Sequence, residues 1–144
     1  MIAPMLIPYR VPGLKWLAIL TAVYSIIWIS LEGKMWQVLV LSCGLTILMA
    51  GAIYQKRIGG RTPSISRWLL LCALAGAVLG LLFGPLTILL MVLKTGLHGH
   101  GPEFTPEEIN WIIDRIPLFM ILGALITSGL GALLAGFNDR SASN

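Results

Sequence analysis

Charge is what this sequence has least of. Asp, Glu, Lys and Arg make up 11% of the chain, against about 25% in an ordinary soluble domain. So few charges cannot cover the surface of a soluble protein of 144 residues, 57% of which are hydrophobic. That excludes a free-standing soluble enzyme. It also excludes nucleic acid as a partner, although the net charge is +4. The basic residues stand at the ends of apolar runs, not in the dense basic patch that a nucleic-acid surface needs.

Other chemistry is missing too. There is no glycine-rich phosphate loop, no Cys-x-x-Cys, no Ser-His-Asp set and no carboxylate pair within an apolar run. No ionisable residue stands near the centre of such a run, where proton-coupled transporters keep their relay groups. The hydroxyls there, among them Thr21, Ser42, Thr46, Thr87 and Thr127, can bond their own backbone and need no pore. The two cysteines, Cys43 and Cys72, lie at different depths in separate runs. They are expected to be small buried packing residues, not a disulfide. No catalytic residue is predicted. No loop is long enough to fold alone, so residues 1–144 read as a single membrane domain.

What is present is length in apolar runs. Four of them, Leu14 to Leu31, Met35 to Tyr54, Trp68 to Leu93 and Ile116 to Phe137, approach or exceed the roughly 20 residues that carry a helix across a bilayer. The fold class is therefore an all-α integral membrane protein with four transmembrane helices. The first run is too long for a signal peptide and lacks a small-residue cleavage site, so a retained span is expected. Seven of the ten Lys and Arg (Arg10, Lys15, Lys56, Arg57, Arg61, Arg67, Arg140) share one side, and Lys34, Lys94 and Arg115 take the other. The positive-inside rule puts both termini in the cytoplasm. The expected location is the cytoplasmic membrane of a prokaryote. Trp16, Tyr24, Trp28, Trp36, Tyr54, Trp68 and Trp111 are expected to anchor the span ends as an interfacial belt.

The third run carries Gly76, Gly80 and Gly84 at four-residue spacing. Such glycines form a flat stripe on which a neighbouring helix can pack backbone to backbone. The fourth run offers a matching stripe, Gly123, Thr127 and Gly131, and a second small set in Ala124, Ser128, Ala132 and Gly136. Pairing these runs as a tight antiparallel hairpin is the simplest arrangement. Two small-residue faces also leave one for another subunit. Pro85 removes a helical hydrogen bond to Leu81 and predicts a kink.

The segment between the third and fourth runs is the only unusual polar one. Thr105, Pro106 and Glu108 form a helix start. Ile109, Ile112, Ile113 and Ile116 then recur at helical spacing. A short amphipathic helix at the outer membrane surface is expected before the fourth span. Both histidines of the chain lie just upstream. His98, His100 and Glu103 could hold a metal, since imidazole suits zinc, copper or nickel. The set lacks a third strong ligand, and no cofactor is predicted.

Abundant packing surface, the absence of reactive groups and one distinctive loop point to a non-catalytic small subunit or assembly factor of a larger membrane complex. His98, His100, Glu103 and Phe104 are the expected partner contacts. A homo-oligomeric small transporter or channel is the alternative, with the third-run glycines and Pro85 as the moving part. A metal- or redox-cofactor-binding membrane protein is the third.

Overall fold

The computed structural model describes residues 10–58, 63–98, 101 and 103–142. Every regular element among them is helical: α1 (Leu14–Ser30), α2 (Met35–Ile53), α3 (Ile65–His98), α4 (Pro106–Asp114) and α5 (Ile116–Ala142). A π-helical turn, Tyr54–Ile58, prolongs α2. Three segments are long and apolar enough to cross a membrane: Met35–Arg57, Ile65–Leu97 and Ile116–Gly136. Apolar α1 has 17 residues, about 26 Å at 1.5 Å per residue. That is short of the roughly 30 Å hydrocarbon core unless the flanking residues help.

The helices form an open row. α1 packs on α2, α2 on α3, and α3 on α5 in by far the most extensive contact of the chain. The outer members, α1 and α5, make no extensive contact with each other, so the bundle does not close. Short α4 touches both α3 and α5.

Small residues explain the α3–α5 contact. A Cβ at Gly76 would collide with the Thr127 hydroxyl and the Gly123 carbonyl. A Cβ at Gly80 would lie 2.8 Å from the Met120 Cα, and one at Gly84 would strike the Ile116 side chain. At the far end the indole N–H of Trp68 donates to the Gly131 carbonyl at 3.0 Å. As α3 is followed upward in number, its partners on α5 descend, so the pair is antiparallel. α2 turns its glycines the other way: Gly44 meets Thr21, and Gly51 meets Leu14 of α1.

Two clusters lie toward opposite ends of the helices. One joins Trp28, Val38, Leu41, Leu90, Met91, Phe104 and Ile112, drawn from α1, α2, α3, the loop and α4. The other sits at the opposite end around Trp68 and Ala135, with Tyr54, Leu69 and Cys72 against it. Trp28 and Trp68 are therefore core residues, 2% and 3% exposed and covered by neighbouring helices. Trp16 and Trp36 are exposed, as belt residues would be. Cys43 is likewise an exposed free thiol instead of a buried packing residue, and Cys72 is half-buried and free.

Pro85 sits inside α3, which continues through it as one helix of 34 residues. α4 begins on a reciprocal cap: Glu108 N–H donates to the Thr105 hydroxyl (3.2 Å), and Thr105 N–H to the Glu108 carboxylate (2.9 Å). The apolar face of α4 is divided. Ile112 is fully buried in the bundle, whereas Ile113 is exposed. Pro117 stands in the first turn of α5, where its missing N–H costs nothing.

Candidate functional site

The feature with most chemistry is a buried lysine. The sequence places Lys94 in the loop after the third run. The structure instead makes it part of α3, with no exposed surface. The physical reason is the end of α1. The last carbonyls of a helix have no intrahelical donor and carry its negative dipole end. Lys94 Nζ donates to the Trp28 carbonyl at 2.8 Å and to the Leu31 carbonyl at 2.5 Å. It lies 4.8 Å from the centre of the Trp28 ring and 3.6 Å from Glu103 Oε2. One ammonium thus combines two carbonyls, a carboxylate and an aromatic face. Its four-carbon stem lies along apolar neighbours, as long cationic side chains do.

The loop meets the α1–α2 turn here. A Cβ at Gly33 would collide with the Glu103 carboxylate and come 3.0 Å from Phe104 Cζ. Gly33 is thus the position that lets the two connections touch. Phe104 is 4% exposed, and the Glu103 side chain is 8% exposed. Both were expected to meet a partner subunit, but the structure turns them inward, where they join α1 to α3. The His98 side chain and all of His100 lie outside the described residues, so the metal set His98, His100 and Glu103 does too. Among the described residues no group of three or more His, Cys, Asp or Glu comes together.

Polar bonds between helices continue along the row. Tyr24 O–H donates to the Gln37 carbonyl at 3.1 Å, tying α1 to α2. The Thr87 and Ser42 hydroxyls, both fully buried, lie 2.9 Å apart between α3 and α2. The Thr127 hydroxyl reaches the Cys72 carbonyl of α3 at 2.7 Å and its own helix's Gly123 carbonyl at 2.8 Å. The Trp28 indole N–H and the Thr46 hydroxyl are buried without a hydrogen-bond partner among the described residues.

Sequence reasoning missed Lys94 because a lysine at the end of an apolar run reads as a span boundary. The available signal was its position: Lys94 stands seven residues past Thr87, two helical turns on, with no glycine or proline between them. Compared with family models, curated proteins and solved structures, the chain finds no match in any of the three.

Proposed function

We propose that this chain is a non-catalytic small subunit or assembly factor of a larger membrane complex. In this reading it has four spans, both termini in the cytoplasm of a prokaryote, and α4 at the outer surface. One observation carries the reading. α5 keeps a second small-residue face that the described residues leave uncovered. Ala132 is exposed, and a Cβ added at Gly129 or Gly136 would meet nothing within 4 Å among the described residues. Residues 129, 132 and 136 share one side of a helix. Lipid gains little from such a face, whereas another helix gains close backbone approach. Only 11% of an 18-residue apolar window within Ile116–Gly136 is buried among the described residues.

The buried charges fit the same reading. Lys94 and Glu103 engage each other and the end of α1, which is a structural task. The partner contact is therefore assigned to α5, with the histidine segment as a second contact.

The test is gentle detergent extraction of the tagged chain from native membranes, then native-gel sizing and mass spectrometry. A discrete heavy complex with stoichiometric partners is expected, and Gly129→Leu should release the chain from it. Recovery of the chain alone, folded and without companions, overturns the proposal.

A further inference from the structure

Between the C-terminal half of α2 and the α3–α5 pair the row leaves a cleft of about 500 Å³. That lies within the roughly 300–1,000 Å³ range of small-molecule sites. Its walls are apolar: Ile53 from α2, Tyr54 from the π-helical turn, Leu71, Leu74 and Val78 from α3, Leu130 from α5. One end is marked by Tyr54 and Trp68, whose rings meet edge to face at 6.3 Å.

The charges that follow α2 and open α3 at that end are all basic. Arg67 stands one helical turn before Leu71, so it continues the cleft-lining stripe of α3 beyond the cleft. Lys56 and Arg57 follow Ile53 by three and four residues, in the π-helical turn that prolongs α2 past the cleft. All three are exposed. From Lys56 to Arg67 the sequence holds no acidic residue and adds Arg61. The acidic residue toward this end, Asp139 of α5, has Arg140 as its neighbour. An apolar slot with exposed basic residues on the helix segments beyond one end complements a molecule with a long hydrocarbon part and a negative head.

We propose that this cleft binds an anionic phospholipid of the surrounding bilayer, with an acyl chain along Leu74 and Val78 and its phosphate facing Lys56, Arg57 and Arg67. Basic residues at a membrane surface attract anionic headgroups, and the cleft adds shape to that attraction. The proposal does not depend on the subunit reading, because it concerns a different face of the row.

The experiment uses the full chain in nanodiscs of equal parts phosphatidylglycerol and phosphatidylcholine, followed by native mass spectrometry on release. One phosphatidylglycerol retained per chain, several-fold over phosphatidylcholine, is expected. Equal retention of the two lipids, or of neither, overturns the proposal. Replacing Lys56, Arg57 and Arg67 with Gln should abolish the preference, and a preference that survives overturns the headgroup assignment. Val78→Trp should displace the lipid while leaving the basic residues intact. A photo-crosslinker in place of Leu74 gives an independent readout in native membranes. A lipid-sized adduct supports the site, and a crosslink to a second polypeptide, or to a second copy of this chain, overturns it.

Discussion

The Lys94 ammonium hydrogen bonds the Trp28 carbonyl at 2.8 Å while lying 4.8 Å from the centre of the same residue's ring. Helix α3 is thereby joined to the last turn of α1 by backbone and side chain together. Removing the cation leaves two helix-end carbonyls and the Glu103 carboxylate facing a buried hole. Lys94→Met keeps most of the stem and should destabilise the chain by about 3 kcal/mol, the scale of breaking a buried ion pair on one side. The double variant Lys94→Met/Glu103→Gln should recover part of that loss. Thermal denaturation of the four proteins in one detergent gives the coupling, and additive losses would remove the ion pair from this account.

Gly76 and Gly129 make opposite predictions on glycines in the same helix pair. Gly76→Val drives side-chain atoms into the Gly123 carbonyl and must part α3 from α5. A loss of about 3 kcal/mol is expected, the upper part of the range for overpacking. Gly129→Ala points into open space and should leave stability unchanged or raise it by up to about 1 kcal/mol, the helix propensity of alanine over glycine. Melting temperatures of both variants check the pair.

Thr87 and Ser42 form a buried hydroxyl pair between α3 and α2. Thr87→Val has the same shape and leaves Ser42 without that partner. It should cost about 0.6 kcal/mol, the average of interhelical hydrogen bonds measured in a membrane protein. Adding Ser42→Ala should return much of it, because two apolar groups need no partner. A double variant as weak as the sum of the singles would argue against the bond.

Trp68→Phe tests the second cluster, where α3 begins. It keeps an aromatic ring beside Tyr54 and removes the N–H that the Gly131 carbonyl accepts. A loss of about 1 kcal/mol is expected from that one bond. Unchanged melting would show that Trp68 acts by volume alone.

Three of the apolar runs were legible as helices of membrane-spanning length, because run length and composition are local properties. The start of α4 was legible for the same reason: Thr105 and Glu108 are three residues apart, and their reciprocal bonds need nothing beyond that turn. Glu103 and Phe104 were read as outward-facing because polar loops usually lie at a surface. What turns them inward is Lys94, nine residues away in sequence, and the end of α1, more than seventy. Trp28 and Trp68 were read as belt anchors for a related reason. Their depth in a run was visible, but not whether another helix would cover them.

By itself the sequence determined that the chain is apolar, helical and divided by short polar connections, since each of these follows from neighbours along the chain. Only the tertiary structure decided that the helices form an open row with one cluster toward each end of the helices. It alone decided that the cleft stays open beside α2, and that Lys94 is an interior residue. The physical reason is that a buried charge is admissible only where acceptors from another helix converge on it. Those acceptors, the carbonyls of Trp28 and Leu31, are backbone groups that every residue type carries, so no residue code announces them.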